Sequence, residues 1–94
     1  MTPIEEERRG ERARQVLENE IYIEAFRMVE ERLVGQMAQA DIDQARAEYL
    51  RQLLVANRVI RRYLEQVLAT GTMAAMEQQR KSALRRTVDK LIPR

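Results

Sequence analysis

Ninety-four residues, 45% hydrophobic and 34% charged, make one small domain at most, with a thin core. Cysteine and histidine are both absent, which removes disulfides, thiolate metal sites, cysteine nucleophiles and the commonest general base and zinc ligand. The net charge is only +2, yet residues 1–47 carry seven basic and eleven acidic side chains while residues 48–94 carry ten and four, so the halves have opposite sign.

The chain is predicted to be all-α. Three glycines and two prolines are its only strong breakers, both prolines lie near the ends, and Ala, Leu, Glu, Gln, Arg and Met dominate. Thr2, Pro3 and Glu5 form a helix start, with Thr2 as N-cap, Pro3 at the first helical position and Glu5 closing a capping box. The helix that follows has few apolar residues (Ile4, Ala13, Val16, Leu17) and Gly10 in its middle, so residues 1–18 are expected to be an exposed arm that a partner orders.

Asn19 can cap a second helix. Its apolar positions Tyr22, Ala25, Phe26, Val29, Leu33, Met37 and Ala40 follow spacings of three and four. Asp41, with Gln44 three residues on, marks a turn and a third helix that stops at Gly71, a suitable left-handed C-terminal residue. A short link between amphipathic helices favours an antiparallel hairpin over residues 19–71. Helix three, about 43 Å long, overhangs helix two at about 31 Å. Thr72 can cap a fourth helix, basic and amphipathic, over residues 72–94, running through Ile92 and ended by Pro93.

Helix three carries two apolar rows. The first runs through Tyr49, Leu53, Ala56, Ile60, Tyr63 and Val67, and the expected core is Phe26, Val29, Leu33, Tyr49, Leu53, Ile60 and Leu64. The second, Leu50, Leu54, Leu64 and Leu68, is left for self-association, because a two-helix core is too small to be stable alone. The alternatives are that helix four folds back to complete a three-helix monomer, or that a different chain covers the row.

Fifteen of the 17 basic residues are Arg, which contacts carboxylate or phosphate in a planar, bidentate way, although such a bias also arises from G·C-rich coding. Arg58, Arg61 and Arg62, with Arg80, Lys81, Arg85, Arg86 and Lys90, are the candidate partner-binding residues. Met73 and Met76 join them as adaptable apolar contacts on the last helix, with simple core filling as the favoured competing reading. No tryptophan, and in the last helix no aromatic residue, argues against membrane anchoring and against stacking on single strands. No apolar run approaches the length of a membrane span, and no secretory signal opens the sequence, so the cytoplasm of a cell is the expected compartment.

No catalytic, cofactor-binding or metal site is predicted. Carboxylates adjacent in sequence point to different helix faces, the only Ser, Ser82, has no base near it, and no glycine-rich phosphate loop is present. The Glu-rich first turns suit the positive end of a helix dipole. Helix three is too long for the recognition helix of a compact DNA-binding head.

Gly10, Glu11, Arg12 and Ala13, followed by Asn19, Ala25, Phe26, Leu33, Arg46, Leu50, Leu64 and Gly71, resemble small helical proteins encoded by tailed bacteriophages. The resemblance spans residues 10 to 76; a Pro commonly follows the Asn in such sequences, where Glu20 stands here. It implies a product of the virion assembly or packaging genes, residing in the host cytoplasm or the virion, and assigns no functional residue. The expected function is a non-enzymatic helical assembly or adaptor protein, oligomeric and docking other proteins. The alternatives are a nucleic-acid binder of small-terminase type and a small inhibitor of a host enzyme.

Overall fold

A computed structural model describes residues 1–92 and is all-helical among them. Three helices follow in order: α1 (Pro3–Glu18), α2 (Glu20–Met37) and α3 (Gln44–Leu91). The Thr2 hydroxyl accepts from the backbone N–H of Glu5, and Pro3 occupies the first turn, where its missing donor costs nothing. Asn19 ends α1 and caps α2 at once. It is extended, and its side chain accepts from the N–H of Tyr22. The cap of α3 is Asp43 rather than Asp41, its carboxylate accepting from the N–H of Arg46 at 2.7 Å.

α1 and α2 lie end to end along α3 and antiparallel to it. Leu33 packs with Leu50 and Leu54, with Met37 and Ile42 against them. Glu30 pairs with Arg58, Phe26 lies under Arg61, Arg9 reaches Tyr63, and Gly10 meets Gly71. Residue numbers fall along the first arm as they rise along the second. The less exposed residues of α3 include Ala47, Leu50, Leu54, Asn57, Leu64, Leu68, Gly71, Ala75 and Gln78, alternating by three and four with Arg61 filling the gap. That is the seam of a coiled coil. The facing residues are Tyr22, Phe26, Glu30, Leu33 and Met37 on α2, and Glu6, Gly10, Ala13 and Leu17 on α1, with a step of five where Asn19 breaks the helix.

Several expectations are overturned. Helix three does not stop at Gly71, and Thr72 opens no fourth helix: Gln44–Leu91 is one helix of 48 residues. Gly71 has no positive φ. It stays helical because its bare Cα faces Gly10, and the Thr72 hydroxyl donates back to the Leu68 carbonyl instead of capping. Helix four therefore does not fold back to close a bundle. Pro93 as its stop, and Arg94, lie outside the described residues. Residues 1–18 are not a free arm either, since Gly10 and Ala13 are buried against α3.

The two rows of helix three exchange roles. Leu50 and Leu54, expected at a self-association surface, are 2% and 8% exposed, while Leu64 and Leu68 are half-buried in the same seam. Tyr49, Leu53 and Ile60, expected in the core, are exposed, as is Val29; Phe26, Leu33 and Leu64 do face inward. Both rows repeat every seven residues, so periodicity alone does not choose between them. The inner row is the one aligned with Gly71, where the arms come closest.

The fold is a rod of 80 × 24 × 19 Å with a radius of gyration of 21.6 Å. A compact chain of this length has about 12 Å.

Candidate functional site

The α1 half of the rod and the α2 half cover α3 differently. Near α1, Val67 and Ala74 are half-buried and buried, so α1 shields the side of α3 next to the seam. Gly10 and Gly71 allow this, because two helices without Cβ atoms at the crossing approach closely. Along α2 the same side of α3 stays open: Tyr49, Leu53, Ala56, Ile60 and Tyr63 are all exposed, Ile60 to 60%.

Two polar contacts show which side of α2 borders this open row. Arg46 donates to Gln36 on one flank of the helix pair, and Arg58 pairs with Glu30 at 2.7 Å on the other. Leu53 and Ile60 lie one and two heptads from Arg46, and Val29 one heptad from Gln36. Val29 therefore adjoins the open row, away from Arg58. The row is bounded by cations. Arg46 stacks on the Tyr49 ring at 5.8 Å, and Arg9 donates to the Tyr63 hydroxyl at 3.2 Å.

The predicted basic residues do not form one surface. Arg58 is held by Glu30, and Arg61 lies 5.0 Å over Phe26 and donates to Glu65, so both make contacts within the rod while their side chains stay about half exposed. Arg62 is exposed, but about 27 Å of helix separates it from Arg80. Arg80 pairs with Glu77 at an exposed site. Among the described residues Lys81, Arg85, Arg86 and Lys90 make no ion pair, and they surround the end of α3, where Leu84, Val88 and Leu91 are also exposed. Met73 and Met76 are exposed as well, at 70% and 63%, on the outer side of the α1 half.

Local ion pairs hold the helix surfaces elsewhere. Arg14 bridges Glu11 and Glu18, and its hydrogen bonds keep the Glu11 carboxyl below its ordinary pKa; Arg51 does the same to Glu48. The Arg14 guanidinium is correspondingly raised, chiefly by Glu11. Among the described residues two polar atoms are buried without a partner, the Tyr22 hydroxyl and Asn57 Nδ2. Open grooves line the rod, one of them along α1 and α3 between Ile4, Arg14, Leu68 and Gln78. Among the described residues no three His, Cys, Asp or Glu side chains cluster as a metal site, and no helix is long and apolar enough to cross a membrane.

No family model, curated protein or solved structure matches the chain.

Proposed function

We propose that the protein is a non-enzymatic helical assembly element, a rod that other helical chains complete. The observation that carries this reading is its uncovered surface. The chain exposes 7965 Å², whereas a compact protein of 11.1 kDa exposes about 5,700 Å². Among the described residues only five apolar side chains are buried, two of them alanines. A core that small contributes too little to hold a 94-residue chain against its conformational entropy, so association supplies the rest.

The resemblance to small helical proteins of tailed bacteriophages fits this reading, in which the protein is a virion assembly or packaging component of the host cytoplasm or the virion. The end of α3 is the docking point for other proteins. Lys81, Arg85, Arg86 and Lys90 beside Leu84, Val88 and Leu91 suit an acidic, apolar groove. Thermal unfolding over a hundredfold range of protein concentration tests the assembly reading. The midpoint should rise with concentration. A sharp, concentration-independent transition above about 50 °C, ordinary for a self-sufficient domain, would refute it.

The same unpaired cations favour a second reading, a packaging protein that grips duplex phosphate. Neutralising Lys81, Arg85, Arg86 and Lys90 would then lower the slope of log affinity against log salt by about 0.9 for each phosphate that goes unneutralised. An unchanged slope removes this reading.

A further inference from the structure

The open face of α3 has a pattern that specifies its occupant. Tyr49, Leu53, Ala56, Ile60 and Tyr63 run along it, and the positions beside them are Gln52, Val59 and Gln66. No charged residue stands on this face over about 27 Å of helix, in a chain that is 34% charged. Charge is depleted in this way at the centre of interfaces.

The row is also nearly the same read in either direction. Ala56 is its midpoint, a tyrosine stands seven residues to each side, and Leu53 is balanced by Val59 three residues away on the other side, with Ile60 next to it opposite Gln52. A two-fold interface requires this property, because each residue at position i must fit position j of the other copy while j fits i. Parallel pairing would set each tyrosine against itself and leave the palindrome without a role.

We propose that a second copy of this chain docks here, α3 against α3 in antiparallel sense, with the two-fold axis passing between the two Ala56 residues. Tyr49 of each copy lies beside Tyr63 of the other, Leu53 meets Val59 and Ile60, and the small Ala56 lets the helices close. The two rods then form a four-helix bundle over the α2 half, with Val29 at its edge. The surface in excess of a compact monomer, about 2,300 Å² per chain, is more than the roughly 800 Å² one partner gives to a standard interface. This proposal rests on the assembly reading and names its first partner.

The absence of cysteine allows a direct test on the full chain. In an Ala56→Cys variant the two thiols face each other across the axis, and mild oxidation should give near-complete disulfide-linked dimer. A Thr70→Cys variant is the control. Thr70 is exposed and lies on the same row, but in the antiparallel dimer its two copies are about 42 Å apart and should not link. Light scattering should find wild type dimeric at both low and high salt, and Ile60→Glu should weaken the dimer by at least about 30-fold. Ile60 is exposed within the chain, so a helical circular dichroism spectrum for this variant at high concentration separates lost pairing from lost folding. Disulfide linkage at Thr70 as readily as at Ala56 would overturn the antiparallel arrangement. A wild-type monomer would overturn the dimer, and a dimer lost at high salt would transfer association to the charged end of α3. A monomer of low, concentration-independent stability would leave the assembly reading with a different partner, whereas a monomer stable above about 50 °C would refute that reading too.

Discussion

Gly10 and Gly71 pack Cα to Cα where α1 crosses α3: a methyl group built on Gly10 would lie 2.8 Å from the Gly71 Cα, and one built on Gly71 would lie 2.7 Å from the Gly10 Cα. The obstructing atoms are backbone, which cannot turn aside as a side chain can. Nearby, Ala13 and Ala74 are also buried. Small side chains on both helices let α1, which has few large apolar residues, hold to α3 by close contact.

Gly71→Ala should therefore destabilise the protein, although alanine is the better helix former by about 1 kcal/mol. Gly35 provides the comparison. It is also helical, but nothing lies within 4 Å of its added methyl group, so Gly35→Ala should stabilise by about 0.5–1 kcal/mol. Urea unfolding of the two variants should move in opposite directions. A stabilised Gly71→Ala would show that the two helices can separate at the crossing without loss.

Leu50→Ala should cost about 2–5 kcal/mol, since Leu50 is the most deeply buried large side chain. Leu53→Ala, one turn away on the open face, should give a loss that depends in part on protein concentration, because in the proposed dimer its exposed portion packs against the second copy. Equal, concentration-independent losses would place both residues in one intramolecular core.

Asn57 occupies a position of the α3 seam where Leu would be usual, and its Nδ2 is buried without an acceptor. Asn57→Leu should stabilise the rod by about 1–3 kcal/mol by removing that unpaired donor. The same change should broaden amide resonances around Phe26 and Arg61, because a buried Asn in a coiled-coil seam favours a single register. A destabilised variant would mean that the amide has a partner in solution.

Glu11 and Glu48 titrate below the ordinary value of 4.5 because Arg14 and Arg51 bond to their ionised forms. A carboxyl lowered by folding contributes stability above its unfolded pKa and loses it as pH falls through the folded value. Helicity should thus decline on acidification below about 4.5, by a small amount because both groups are exposed. Glu11→Gln together with Glu48→Gln should flatten that decline in a circular dichroism titration. An unaltered slope would assign it to other carboxylates.

Much of this structure is local and can be read from the sequence. Helical propensity, the cap at Thr2, the break at Asn19 and the two heptad rows on the third helix depend on residues within a few positions of one another. The open face is visible too, as a row of Tyr49, Leu53, Ala56, Ile60 and Tyr63, but its apolar character makes it look like core. Which row turns inward is not a local property. It depends on α1, whose apolar content is too low to mark it as a packing element and whose grip on α3 comes from Gly10 meeting a glycine sixty-one residues away. Glycine is ambiguous in sequence, because its missing side chain serves a left-handed helix end and a close helix crossing equally well. At Gly71 the tertiary contact decided between them, and with it the continuity of α3, the burial of Leu50 and Leu54, and which face of α3 stays open.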